Sequence, residues 1–119
     1  MFSQRLSPGD LAALCRALRH HLAAGLTLVR VLQQQMERGP RGVRPLAGRL
    51  LAAVEQGGSL SDALDREADM LPPLFLAMAR LGEETGHLPE VLGELEQYYQ
   101  MQLMLRRQLR TRKIGRAHV

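Results

Sequence analysis

An all-α domain is predicted, on three observations. Leucine dominates the apolar residues: 23 Leu stand against six Val and one Ile, with no Trp and only four aromatics, Phe2, Phe75, Tyr98 and Tyr99. Leu, Ala, Met, Gln, Glu and Arg lose little rotamer freedom in a helix, whereas strands favour β-branched and aromatic residues. The apolar positions also recur with a 3.6-residue period. Gly, Pro, Ser and Thr then punctuate the periodic runs where helix starts and stops are needed. Six helices are expected, readable as three helical hairpins.

The elements follow in order. Ser7-Pro8-Gly9-Asp10 reads as a helix start, with Ser7 as N-cap, Pro8 at the first helical position and Asp10 near the positive end of the dipole. Leu11, Leu14, Cys15, Leu18 and Leu22 form one face of the first helix, and Gly25 ends it. Thr27 is placed to cap a second helix carrying Leu28, Val31, Leu32 and Met36. Gly39-Pro40-Arg41-Gly42 is a loop. The third helix has the cleanest pattern, Val43, Leu46, Ala47, Leu50, Leu51 and Val54, stopped by Gly57-Gly58. Ser59 and Asp62 open a short fourth helix with Leu60, Ala63 and Leu64. Pro72-Pro73 opens the fifth, expected to turn Leu74, Phe75, Met78 and Leu81 inward, and Gly86 closes it. Pro89 starts the sixth, which meets no breaker until Gly115 and has an expected length of roughly 35 Å. A weak internal echo, G-x-L-x-x-x-L at Gly58 and again at Gly86, reads as Gly-stopped helices followed by amphipathic ones rather than as a duplication.

The chain has 119 residues, 45% hydrophobic and 24% charged, which fits one domain with a core of modest size. The single cysteine, Cys15, has no internal disulfide partner and falls on an apolar stripe, where a buried, inert thiol is expected. The N-terminus lacks the apolar run of a signal peptide, and no segment is apolar for long enough to span a bilayer.

The net charge of +4 hides a segregation. Residues 1–49 hold eight Arg and two acids, residues 50–105 hold ten acids and two Arg, and residues 106–119 hold six basic residues and no acid. The basic run Arg106, Arg107, Arg110, Arg112, Lys113 and Arg116 admits three readings. It suits the negative pole of a helix dipole, an anionic membrane surface, or nucleic-acid phosphate. Stacking aromatics do not interleave with it, and the acidic middle repels phosphate, so the membrane reading leads. The acids Glu83, Glu84, Glu90, Glu94 and Glu96 suit a solvated face or a docking face for a basic partner better than a metal site, since no EF-hand spacing is present.

No catalytic constellation is found. The sequence holds no phosphate loop, no H-E-x-x-H and no nucleophile elbow. His20 and His21 are neighbours on a helix and cannot chelate one metal as an i, i+4 pair does, while His87 lies in a turn. The chain is expected not to be an enzyme and to take no small-molecule substrate.

The stretch from Pro72 to Leu88, P-P-L-F-L-A-M-A-R-L-G-E-E-T-G-H-L, resembles the segment around the G-E-x-S/T-G motif of the type II secretion "F" platform proteins and their type IV pilus counterparts. Two further stretches agree in the same order: Leu22–Leu28 resembles the turn after the family's first helix, and Gly57–Leu64 resembles its G-x-S-L-S-x-A-L segment. Thr85 stands where Ser is commoner, and Leu71 where Phe is usual. The resemblance implies that the three hairpins form a six-helix antiparallel bundle, a cytoplasmic platform-protein domain over residues 1–112. Residues 113–119 then form a basic tail, either preceding a membrane span absent from this chain or appended to it. It further implies a bacterial inner-membrane protein with this domain on the cytoplasmic side, homodimerisation, and contact with a secretion or pilus-assembly ATPase and other platform proteins. The motif and interface residues implied are Gly82, Glu83, Thr85, Gly86, Gly25 and Gly58, with Arg106, Arg107, Arg110, Arg112 and Lys113 near the membrane. Calcium is implied only at Glu83, and no other cofactor is expected. The alternative is a small helical adaptor or nucleic-acid-binding module that uses the basic C-terminal helix.

Overall fold

The computed structural model describes the backbone of residues 5–117 and the side chains of residues 5–112. These residues form six helices: α1 (Pro8–Ala23), α2 (Leu28–Arg38), α3 (Arg44–Glu55), α4 (Leu60–Asp65), α5 (Pro73–Thr85) and α6 (Leu88–Ala117).

The expected starts are made by hydroxyl caps. Ser7 Oγ accepts from Asp10 N–H at 3.1 Å, Thr27 Oγ1 from Arg30 N–H at 3.2 Å, and Ser59 Oγ from Asp62 N–H at 3.0 Å. Each satisfies one of the donors that a helix N-terminus leaves without an internal partner. α3 and α5 instead begin with a proline in the first turn, which has no N–H to satisfy. Gly25, Gly57 and Gly86 take positive φ at the stops after α1, α3 and α5. In the Gly57-Gly58 pair it is thus the first glycine that makes the left-handed turn.

α6 is the spine. α1 packs along it more extensively than any other pair, α5 flanks it, and α2 pairs with α3. Every consecutive pair of helices touches, and α1 closes the circuit onto α6. Six helices match the expected number, but the packing does not single out three hairpins. The two most extensive pairings, α1 with α6 and α2 with α3, both cross the hairpin boundaries. Leu14, Cys15 and Leu18 of α1 and Leu92, Leu95 and Tyr99 of α6 are buried in one core, with Val31, Leu32, Leu46, Leu50, Leu64 and Phe75. Each fully buried leucine contributes on the order of 2 kcal/mol relative to exposure.

α5 corrects the expected inward set. Phe75 is buried and Met78 half-buried, but Leu74 and Leu81 are 42% and 50% exposed. The face turned inward is Phe75, Ala79 and Gly82, at i, i+4 and i+7. α5 carries apolar residues on two faces, and the face with small residues wins because it lets α6 approach closely. Met36 on α2, also expected inward, is 40% exposed.

α6 also departs from expectation. It runs through Gly115 to Ala117, 30 residues, or about 45 Å. A glycine inside a helix costs only about 1 kcal/mol, too little to end a long helix. Among the described side chains its last buried residue is Tyr99; beyond it Met101, Met104, Leu105 and Leu109 are 49–59% exposed. The tail assigned to residues 113–119 is therefore helical backbone as far as Ala117, while His118 and Val119 lie outside the described residues.

Candidate functional site at the joint of α4, α5 and α6

The Gly82–Gly86 segment ends α5 and gathers three helices. Glu83 points from α5 to the start of α4, where Oε2 accepts from Leu60 N–H at 3.2 Å and Oε1 from Ser61 N–H at 3.1 Å. Both carboxylate oxygens thus serve backbone donors at the positive end of a helix. With the Ser59 cap, the N–H groups of Leu60, Ser61 and Asp62 all have side-chain acceptors.

Gly82 is needed for a different reason. A Cβ there would lie 2.9 Å from Leu88 Cα and 3.2 Å from Val91 Cβ, at the start of α6. No side chain fits, so the glycine sets how closely α5 and α6 approach. Gly86, at φ +75°, supplies the left-handed turn between them. The Gly82 carbonyl accepts from the N–H groups of Gly86 and His87, the latter at 2.9 Å. Thr85 turns its hydroxyl back to the Leu81 carbonyl at 2.7 Å. Any short hydroxyl residue can make that bond, so Thr serves where Ser is commoner.

Calcium was implied at Glu83, and the surroundings within one chain do not suit it. The groups facing this carboxylate are N–H donors at a helix N-terminus, which favour an anion and disfavour a cation. Among the described residues no three His, Cys, Asp or Glu side chains gather as metal ligands.

The remaining acids divide. Glu84, Glu90 and Glu94 are exposed on the surface. Glu96 is only 8% exposed and accepts from Arg19 Nε at 3.0 Å and Nη2 at 2.8 Å. Arg80 of α5 binds Asp65 and Asp62 of α4, and these hydrogen bonds hold its guanidinium above its ordinary pKa. Neither ion pair was anticipated. The Arg80 pairs join adjacent helices, and a basic residue facing an acidic turn was a usable signal. The Arg19–Glu96 pair spans 77 residues and left no local sign.

Of the other singled-out residues, Gly25 lies at the exposed turn before Thr27, and Gly58 at the turn before Ser59. Arg106, Arg107, Arg110 and Arg112 are exposed along the end of α6; the Lys113 side chain lies outside the described residues. No helix among those described is long and apolar enough to cross a membrane.

Comparison with known proteins then decides the family. The profile of the family described as type II secretion system (T2SS), protein F matches residues 14–116. The chain belongs to the type II secretion system protein F family. Family relatives include a type II secretion system protein F of Aeromonas hydrophila, 31% identical over 92% of this chain, and one of Vibrio cholerae, 32% identical over 91%. A type IV pilus assembly protein PilC of Thermus thermophilus is 32% identical over 86% of the chain. The matches cover 28%, 27% and 25% of those relatives, so this chain spans about a quarter of their length. Within this protein F family domain, the Pro72–Leu88 and Gly57–Leu64 stretches meet at the joint of α4, α5 and α6.

Proposed function

We propose that this domain is a non-catalytic coupling element on the cytoplasmic side of a bacterial inner membrane. It links a secretion or pilus-assembly ATPase to the membrane base, and it works as a homodimer alongside other platform proteins. The basic end of α6, from Arg106 to Lys113, faces the membrane in this reading. Family membership supports the setting. The observation that supports the mechanism is the joint itself: Glu83 fixes α4 to α5, and Gly82 seats α5 against α6. A movement imposed on any of the three is passed to the others, because a packed interior deforms little. The exposed Glu84, Glu90 and Glu94 offer an acidic face to a basic partner surface.

The test uses the full-length protein in its own cell. Reversing the acidic face with Glu90→Lys and Glu94→Lys should weaken ATPase co-purification and reduce secretion or piliation while leaving the domain folded. Secretion and ATPase contact that survive both these reversals and Glu83→Ala would sink the coupling role.

A further inference from the structure

A second surface lies on the flank of α6. A groove of about 450 Å³ opens between the N-terminal segment, the start of α5 and the middle of α6. Leu6, Leu11, Leu74 and Tyr98 give it apolar walls, and Arg5 and Arg106 bring two cations; among the described residues no Asp or Glu lines it. Leu74 and Tyr98 are each 42% exposed, more than ordinary core residues at a domain edge. Tyr99 also lines the groove, and its hydroxyl is buried without a hydrogen-bond partner among the described residues.

The groove does not end at Tyr98. Tyr98, Met101, Leu105 and Leu109 stand at i, i+3, i+7 and i+11 on α6, so one face of the helix carries the apolar surface outward. Their exposures are 42%, 56%, 49% and 59%. The four positions cover about 16 Å of helix, three turns. Arg112 continues the same face at i+14, and no acid follows Glu96 in the sequence. Beyond Tyr98 the charged neighbours of the strip are arginines, while the exposed Glu94 lies on the same face one turn before it; a contiguous exposed apolar strip marks an interaction site. The methionines add a surface that adapts to its partner.

Three occupants are conceivable, and the geometry separates them. A second copy joined by a two-fold axis would set this patch against an identical one, and the groove lining of that copy offers Arg5 and Arg106 no carboxylate. A flat bilayer would meet the strip but not enter a concave groove walled by three elements. A helix with one apolar face fits both the concavity and the spacing, and acidic flanks complement the arginines. We propose that the groove and strip dock an amphipathic helix of a partner protein. Its apolar face would rest on Leu74, Tyr98, Met101 and Leu105, and its carboxylates would meet Arg5 and Arg106. The inference goes beyond the coupling role: Glu90 and Glu94, which that role invokes, lie in the first turns of α6, and the groove and strip lie C-terminal to them.

The probe is a labelled amphipathic peptide of about five helical turns, with leucines at i, i+3 and i+7 and glutamates elsewhere. A matched peptide carries lysines in place of the glutamates. Fluorescence polarisation with the 119-residue protein should show binding of the acidic peptide and little of the basic one. Leu105→Asp and Leu74→Asp alter exposed side chains, and unchanged thermal unfolding will show that the fold is intact. Each should weaken binding at least about tenfold, as loss of a central apolar anchor does. Arg106→Gln should weaken it about threefold and reduce its salt dependence. Equal binding of the two peptides overturns the proposal, as does acidic-peptide binding untouched by the aspartate variants. So does self-association that the aspartate variants abolish, or pelleting with phosphatidylglycerol vesicles without peptide binding.

Discussion

Arg19 and Glu96 join the first helix to the last: Nε and Nη2 of the guanidinium both reach Oε1 of the carboxylate, at 3.0 and 2.8 Å. Gly93, one turn before Glu96, makes room for the arginine, since a Cβ there would lie 3.1 Å from Arg19 Cδ. The carboxylate is nearly buried while the arginine is 37% exposed. Removing the arginine therefore strands a buried charge, whereas removing the glutamate frees an arginine that can reach water. Arg19→Ala is expected to cost more than Glu96→Ala, about 2–3 kcal/mol against about 1–2 kcal/mol once solvent screening at the exposed end is allowed for. Urea unfolding of the two variants checks the order; a larger loss from Glu96→Ala would contradict it.

The capping role of Glu83 predicts a graded series. Glu83→Ala leaves the Leu60 and Ser61 N–H groups without acceptors and should destabilise by about 1–2 kcal/mol. Glu83→Gln keeps one acceptor oxygen and should lose roughly half as much. Amide hydrogen exchange at Leu60 and Ser61 is the direct readout, rising in Glu83→Ala and changing little at distant helices.

Gly82 and Gly25 should respond differently to alanine. At Gly82 the new methyl meets the α6 backbone, which cannot swing aside, so a loss of about 2–3 kcal/mol is expected. At Gly25 nothing lies within 4 Å, and only the positive φ opposes the change. About 1 kcal/mol is expected there. Thermal melts of the two variants would show a Gly82 loss about twice that at Gly25 or more; equal losses would mean that close approach is not what holds Gly82.

Cys15 is fully buried, and burial, helped by the Glu96 charge, pushes its thiol from 9.0 up to about 12. Burial likewise raises the Tyr99 hydroxyl from 10.0 to about 12, with Cys15 and Tyr98 contributing. Both groups are neutral when protonated, and both folded values lie above the unfolded ones. Their contribution is thus complete below pH 9 and is lost as pH rises from 9 toward 12, because the unfolded chain releases these protons first. Cys15 should resist a thiol reagent at pH 8 in the native protein and react once the protein is unfolded in urea. Fast labelling under native conditions would show that the α1–α6 contact opens readily.

Much of the site was legible because its parts are local. Gly86 stops a helix, Ser59 starts one, and the spacing between them is short, so their roles follow from neighbouring residues. The bond from a carboxylate to a neighbouring helix N-terminus was foreseeable in kind for Glu83, but its recipient was not. Leu60 and Ser61 lie 23 and 22 residues away, and only the packing of α4 on α5 brings them within reach.

The sequence by itself determined the helical class, the six segments and nearly all their caps, since these depend on periodicity and on hydrogen bonds spanning three or four residues. It could not determine which face of α5 turns inward. Leu74 and Leu81 are more hydrophobic than Ala79 and Gly82, and intrinsic hydrophobicity favours the wrong face. The fold chose the small residues because two helices that approach closely bury more of everything else. The same tertiary choice left Leu74 at the surface beside Tyr98. It also joined Arg19 to Glu96 and set α1 on α6, contacts between residues so far apart in the chain that no local pattern encodes them.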